Sequence, residues 1–136
     1  IVDVHTTPAT GTAEREAALA MVKRSVKPAS GGCKPTLAAD RGYDTAEFVG
    51  ALMALGIAPH VAAKTQSSAV PEHIKTTEGY RVSLRRRKMI EEAFGWVKDI
   101  GTLRRLMARG LDKIRAHALL NFAAYNLTRL GNLLAS

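Results

Sequence analysis

The residues best suited to chemistry in this sequence are two cations and a carboxylate on one face of a predicted helix. Arg87, Glu91 and Lys98 fall within about 40° of one another if the stretch turns by roughly 100° per residue. Glu92 points well away, so we expect it to be solvated, whereas Glu91 borders the apolar stripe of the helix. That stripe consists of Met89, Ile90, Ala93, Phe94 and Val97. A carboxylate between two cations suits phosphate chemistry.

A second candidate, Asp40, ends the apolar run 36–39, which has the length of a buried strand. Ligands of open α/β sheets bind beyond the carboxyl ends of strands, where this carboxylate would meet a cation or a phosphate. The alternative is that Asp40 only starts a turn. Asp44 has capping-box spacing to Glu47, so we predict that it caps the next helix and does no catalysis.

Asp40 and Glu91, though distant in the sequence, could converge on one divalent ion. Hard cations such as Mg²⁺ prefer oxygen ligands and accept substrate phosphates as the rest of their shell. Lewis-acid activation of phosphodiester cleavage and transfer would follow. Arg87 and Lys98 would then position or neutralise phosphate. The plainer alternative is an intrahelical pair of Arg87 with Glu91, worth only a few tenths of a kcal/mol.

The charge of the chain is concentrated in one segment. The formal net charge is +8 over 136 residues, and residues 81–115 hold eleven Lys/Arg against four Asp/Glu. A basic block along a structured helix favours a polyanionic partner, with nucleic acid the commonest. A merely solvated charged face is the alternative. It predicts no salt-dependent affinity for DNA.

Several other sites are disfavoured by the sequence. Cys33 is the single cysteine, which excludes an internal disulfide and a thiolate metal cluster and favours a reducing cytoplasm. The four histidines show no metal-ligand spacing, so we predict structural or surface roles. We expect Trp96 to pack on the last helix rather than stack on a base. Polar residues interrupt the apolar stretch 116–134, which is predicted to be a packed helix and no membrane span.

Periodicity and turn residues predict an α/β domain with parallel pairing of its later strands. The elements alternate between strand and helix, then pass through a polar loop into two helices. Their predicted ranges are a strand at 1–7, a helix at 12–25, a strand at 36–39, a helix at 45–55, a strand at 57–62, a polar loop at 64–79, a basic helix from 81–83 to 100 and a final helix at 111–134. We expect the final helix to keep an apolar stripe through Ile114, Leu119, Phe122, Ala123, Leu127, Leu130 and Leu134.

Several ordered motifs resemble those of bacterial insertion-sequence transposases with a DDE catalytic domain. Ala39-Asp40-Arg41-Gly42-Tyr43-Asp44 resembles the second-aspartate motif of that family, and Arg87-x3-Glu91-x6-Lys98 its glutamate signature. The triplet Phe94-Gly95-Trp96, the segment 123–127 and the segment 7–15 fit as well. The resemblance thus covers essentially the whole chain.

The resemblance implies a partial ribonuclease H-like fold in one catalytic domain, incomplete at the N-terminus. Its parts would be a strand and helix core at 1–62, a polar loop at 63–80 and the basic and final helices at 81–136. Asp40 and Glu91 would be catalytic and would bind Mg²⁺ or Mn²⁺. Arg87, Lys98, Arg104 and Arg105 would bind substrate phosphate. The expected partners are DNA, at insertion-sequence ends and target, and further copies in a homo-oligomer, with no membrane.

Two departures from the family pattern qualify these expectations. The signature usually has a tyrosine three residues before the arginine, a place held here by Leu84, while the nearest tyrosine is Tyr80. The first catalytic aspartate of the family lies upstream of the segment matched by residues 1–15, and Asp3 is on the wrong strand to replace it. We therefore expect a transposase portion that is inactive alone. The alternative is a non-catalytic basic nucleic-acid-binding module or a decayed transposase remnant.

Overall fold

The computed structural model describes residues 1–8, 10–25, 34–101, 103–107 and 109–135. They form two compact units, one made of Glu14–Lys88 and the other of Ile1–Ala13 with Met89–Ser136. Each unit is described here by itself. Residues 26–33, which include Cys33, lie outside the described residues.

A two-stranded parallel sheet organises the unit Glu14–Lys88. Strand β1 spans Thr36–Ala39 and β2 spans Ala58–Val61, in a register that pairs Thr36 with Ala58 and Ala39 with Val61. The pairing continues past the strands, because the Ala62 N–H donates to the Ala39 carbonyl over 2.9 Å. The strands predicted at 36–39 and 57–62 and their parallel pairing are confirmed. Their carboxyl ends lie side by side, as parallel pairing requires.

Four helices accompany this sheet: α1 at Ala13–Ser25, α2 at Ala46–Ala54, α3 at Glu72–Lys75 and α4 at Glu78–Arg86. Gly56 ends the turn after α2 with a φ of +72°, a conformation that glycine adopts without steric cost. Helix α1 confirms the predicted helix up to Ser25. The core of the unit consists of Val22, Phe48, Val49, Leu52, Ile57, Val61, Val70, Ile74 and Tyr80.

The predicted polar loop and the start of the basic helix are both corrected. Residues 64–79 contain α3, and α4 begins at Glu78 because the Thr77 side chain caps it by accepting from the Tyr80 N–H. The polar run Thr76-Thr77-Glu78 has no apolar helical stripe, so the sequence pattern predicts a loop there. The helical stretch is divided at Arg87, after which α5 spans Lys88–Asp99.

Asp44 does not cap α2 as predicted. The cap is Thr45, whose hydroxyl accepts from the Phe48 N–H at 3.3 Å. Asp44 is instead 1% exposed, and its carboxylate accepts from the N–H groups of Lys64 at 2.6 Å and Ala69 at 2.8 Å. These bonds fix the loop that follows β2. Burial raises the pKa of Asp44, but the hydrogen bonds from Lys64, the Ser68 side chain and Ala69 outweigh it and leave that pKa lowered.

The second unit is built on two helices. Helix α5 (Lys88–Asp99) buries Ala93 and Val97, and α6 (Leu111–Leu134) buries Ala118 and Phe122. Phe94 meets Phe122 edge-on at 5.3 Å between ring centroids, and Trp96 meets Tyr125 at 5.6 Å. The bounds of α6 and the packing of Trp96 on the last helix are therefore confirmed.

One prediction for this unit is wrong. Residues 1–7 form no strand; a strand needs a hydrogen-bonded neighbour, and the Ile1 amino group and carbonyl bind the Asn126 side chain instead. The predicted apolar stripes are only partly buried. Exposed members of the two stripes are Met89, Ile90, Phe94, Leu119, Ala123, Leu127, Leu130 and Leu134. A sequence period shows which residues share a face, not which part of that face is covered.

The described chain is thus a mixed α/β structure dominated by helices, in agreement with the predicted class. Among its described helices, none combines the length and apolarity needed to cross a membrane.

Replacing Asp44 with asparagine should lower the free energy of unfolding by about 1–3 kcal/mol at neutral pH, because a buried backbone N–H loses its acceptor. The lowered pKa means that the ionised carboxylate stabilises the fold above the unfolded-state value of about 3.9. That stabilisation is lost as the pH falls through the folded-state value. Urea unfolding between pH 7 and pH 2 should show that Asp44→Asn lacks this part of the acid sensitivity.

Glu47→Gln is the matched control, since Glu47 is exposed in the first turn of α2. It should change the free energy of unfolding by less than about 1 kcal/mol. Equal effects of the two variants at pH 7 would contradict the structural role of Asp44.

Candidate functional site

Asp40 and Arg87 are brought together within the unit Glu14–Lys88. Asp40 directly follows β1, and Arg87 directly follows α4. The Arg87 Nη1 donates to the Asp40 Oδ1 over 2.8 Å. Two residues that the sequence places 47 positions apart thus form one ion pair at the carboxyl end of the sheet.

The turn after β1 leaves the Asp40 carboxylate for other contacts. Arg41–Tyr43 form a 3₁₀ turn in which the Tyr43 N–H donates to the Asp40 backbone carbonyl over 3.0 Å. The Asp40 side chain makes no capping hydrogen bond. A carboxylate that only started the turn would accept from these N–H groups. The Asp40 side chain therefore does not hold this turn, and its role as a site residue stays a prediction.

An open pocket of about 550 Å³ surrounds this ion pair. Its lining consists of Asp40, Arg41, Gly42, Ala62, Leu84 and Arg87. The lining thus combines one carboxylate and two guanidinium groups with apolar side chains.

The pair is only partly shielded from water. The Arg87 side chain is 30% exposed and that of Asp40 is 64% exposed. Pairs of this kind contribute about 0–1 kcal/mol to stability. Stability alone is therefore a weak reason for the chain to keep this arrangement.

Two carboxylates also affect Tyr43, the last residue of the turn after β1. Burial raises the pKa of Tyr43, and the nearby Glu14 and Asp40 carboxylates raise it further against the opposing effect of Arg15. Arg15 of α1 also donates to the Gly42 carbonyl at 3.5 Å. The turn that carries Asp40 is thus contacted from α1 as well as from α4.

Tyr80 and Leu84 occupy different surroundings on α4. Tyr80 is buried, and its hydroxyl donates to the Val61 carbonyl at 2.8 Å and accepts from the Ala63 N–H at 3.1 Å. Leu84, at the place of the signature tyrosine, lines the pocket. Tyr80 is therefore no pocket residue, and the place where the family has a tyrosine is apolar here.

His60 fulfils the prediction of a structural histidine. It is 6% exposed, its Nδ1 lies 2.7 Å from the Ser83 hydroxyl, and its ring meets Tyr80 edge-on. Burial lowers the pKa of His60. Its place is between β2 and α4, not in the pocket.

The remaining predicted site residues belong to the other unit. Glu91 and Lys98 are exposed on α5, seven positions apart and so on one face. Glu92 is exposed too, so burial does not separate the two glutamates as predicted. Arg104 pairs with Asp99 at 3.2 Å in a short turn, and Arg105 is exposed beside it. Convergence of Glu91 with Asp40 stays a prediction.

Sequence reasoning missed two contributors to the pocket. Arg41 belongs to the second-aspartate motif but has no predicted role, although a cation directly after a candidate metal ligand is a usable signal. Leu84 was noted as a departure from a motif, and its i−3 spacing from Arg87 puts both side chains on one helix face. Both line the pocket.

Metal-binding chemistry fits these residues in part. The Asp40 carboxylate is a hard oxygen donor at an open site, which suits Mg²⁺ or Mn²⁺. Within the described ranges, however, no group of three or more His, Cys, Asp or Glu side chains is close enough to hold an ion. Asp40 would supply one ligand of such a site.

A comparison with protein families identifies the chain. The family model described as the transposase DDE domain matches residues 1–127. The chain belongs to the transposase DDE domain family. No curated protein and no solved structure matches it significantly. The family match spans the Asp40 motif, the pocket residues and the α5 signature of this DDE domain.

A double-mutant cycle would test how strongly the Asp40 and Arg87 side chains couple. Asp40→Asn, Arg87→Gln and the double variant should give a coupling free energy below about 1 kcal/mol in urea unfolding, because both side chains are partly exposed. The exposed pair Glu78–Arg85, at 3.2 Å, provides the matched cycle. A coupling above about 2 kcal/mol would show that the pair is a stabilising element of the fold.

Proposed function

We propose that this chain contributes the second aspartate and the glutamate of a transposase that cuts and rejoins DNA at insertion-sequence ends. The observation that carries the proposal is the Asp40–Arg87 pair. A carboxylate at the end of a parallel strand is held by the arginine of the glutamate signature, inside an open pocket. Membership of the transposase DDE domain family supports the same reaction class.

The proposed active site belongs to a ribonuclease H-like domain. Asp40 and Glu91 would hold Mg²⁺ or Mn²⁺, which supplies Lewis-acid activation of phosphodiester chemistry. The β1–β2 sheet with its terminal aspartate is consistent with this fold. The family also implies that the complete protein acts on DNA as a homo-oligomer.

The cations of the chain would bind and orient the phosphate backbone. Arg87 keeps the Asp40 carboxylate at the pocket and would neutralise charge there, and Lys98, in the last turn of α5, would supply a further cation for phosphate. Arg104 and Arg105 would contact phosphates further along the strand. Such contacts position DNA without reading its sequence.

Substitution of the two acidic residues tests the proposal in the complete transposase. Asp40→Asn and Glu91→Gln should each reduce strand cleavage by more than about 100-fold, beyond the 10–100-fold typical for loss of an outer-shell partner. DNA binding, measured by fluorescence anisotropy, should change only a few-fold, since neither residue is a cation.

Glu92→Gln is the matched control for this test, because it alters the neighbouring carboxylate on a different face of α5. It should cleave DNA at the unmodified rate. Cleavage by Glu91→Gln at the rate of Glu92→Gln would refute the proposed function and favour the non-catalytic basic module.

The 136 residues alone should bind duplex DNA without cleaving it. The basic segment 81–115 predicts an affinity that falls steeply with added salt, because phosphate neutralisation releases counterions. Arg104→Gln and Arg105→Gln should each reduce the slope of log binding constant against log salt concentration (the salt slope) by about 1. We expect no Mg²⁺-dependent cleavage, since the family resemblance assigns only two of its three acidic residues to this chain.

Arg129→Gln is the control for DNA binding, as Arg129 is exposed on α6 outside the basic segment. Its salt slope should equal that of the unmodified chain. Salt-independent binding would support the solvated-face alternative, and cleavage by the chain alone would contradict the predicted inactivity.

A further inference from the structure

The two halves of the Asp40–Arg87 pair are connected through a closed path of contacts in the unit Glu14–Lys88. Asp40 ends β1, and β1 is joined to β2 by the bond from the Ala62 N–H to the Ala39 carbonyl. The path returns through α4 to Arg87, which pairs with Asp40. The link from β2 to α4 includes the hydroxyl of one side chain, Tyr80.

The Tyr80 hydroxyl lies at the edge of β2 opposite β1. Successive residues of an extended strand direct their backbone groups to alternate edges. Ala62 bonds β1, so the Val61 carbonyl and the Ala63 N–H face the other edge, where the hydroxyl serves both, at 2.8 and 3.1 Å. One phenol thus takes the place of a third strand at the point where β2 reaches the pocket.

At this position the Tyr80 hydroxyl bonds backbone groups next to the pocket, so its role goes beyond packing. Tyr80 is 6% exposed and Val61 is 0% exposed, so the Val61 carbonyl would lose its donor in a buried place if the hydroxyl were removed. The two backbone partners of the hydroxyl flank Ala62, which lines the pocket next to Asp40 and Arg87. A loosened strand end would shift Ala62, the last backbone contact of β1, and hence the aspartate relative to the arginine.

We infer that Tyr80 is a positioning residue for the proposed reaction, whose hydroxyl fixes the distance between Asp40 and Arg87 by tying the end of β2 to α4. The inference rests on the proposed function for its catalytic consequence. Its structural part concerns this chain alone. Tyr80, one helical turn before position 84, therefore acts from the core next to the pocket and does not line the pocket itself.

Tyr80→Phe tests the structural part by NMR on the 136-residue chain. It removes one oxygen and keeps the ring that packs on His60. Amide exchange of Ala63 should accelerate at least 10-fold, and the slowed rotation of the Arg87 guanidinium, a signature of its ion pair, should become fast. Unchanged Arg87 signals in a folded Tyr80→Phe chain would overturn the inference.

Tyr125→Phe is the matched control, because it removes a hydroxyl from α6 in the other unit. It should leave the Ala63 and Arg87 signals unchanged. If Tyr80→Phe does not fold, hydroxyl-proton exchange in the unmodified chain tests the inference instead. Exchange of the Tyr80 hydroxyl proton at least 10-fold slower than that of Tyr125 supports the inference, and equal exchange rates overturn it.

The catalytic part is read in the complete transposase. Tyr80→Phe should lower kcat for strand cleavage by about 10–100-fold, as loss of an outer-shell partner does, with KM for DNA within about twofold. A change in KM alone would overturn the positioning role. Failure of the proposed function would appear separately, as full activity of Glu91→Gln, while the NMR result for Tyr80 would stand by itself.

Discussion

The parallel pairing of β1 with β2 is the constraint on which the unit Glu14–Lys88 depends. Parallel strands bring two carboxyl ends to one edge, so Asp40 and the loop after Val61 become neighbours. A sheet of two strands also leaves backbone groups at its outer edges that need partners. Side chains from distant parts of the chain supply them here. Tyr80 serves the end of β2, and Asp44 serves the loop beyond it.

Asp40 and Asp44 show how surroundings divide one residue type into two roles. Both follow β1 within five residues, yet Asp44 is buried under backbone N–H donors, whereas Asp40 is 64% exposed beside a guanidinium. A carboxylate that accepts two short backbone hydrogen bonds is held in place for structure and has little capacity left for a ligand. An exposed carboxylate paired with a cationic side chain can exchange that partner for another cation. The chemical difference lies in the donors, not in the aspartates.

Local pattern predicted the elements whose cause is local. The apolar runs of β1 and β2 and the uninterrupted pattern of α6 each depend on residues a few positions apart, and these elements were found. The missed features depend on distant partners. Asp44 finds its donors 20 and 25 positions away, and the Tyr80 hydroxyl reaches 19 positions back to Val61. In the candidate site, spacing put Arg87 on a helix with Glu91 but could not show its pairing with Asp40. The exposure of the leucines on α6 could not be predicted for the same reason, since a hydrophobic period does not show which residues cover a helix face.

The placement of leucine at position 84 and tyrosine at position 80 of α4 has a consequence for the pocket. A side chain at position 84 lines the pocket, whereas one at position 80 lies in the core behind it. Leucine at position 84 donates no hydrogen bond, so the polar lining is reduced to Asp40, Arg41 and Arg87. Phosphate entering this pocket would therefore be bound by charge more than by neutral hydroxyl donors, and such binding tolerates small displacements of the backbone but weakens with salt. The positions of Asp40 and Arg87 would then have to be fixed by the elements that carry these side chains. In the inferred role of Tyr80, its hydroxyl contributes to this by bonding the end of β2.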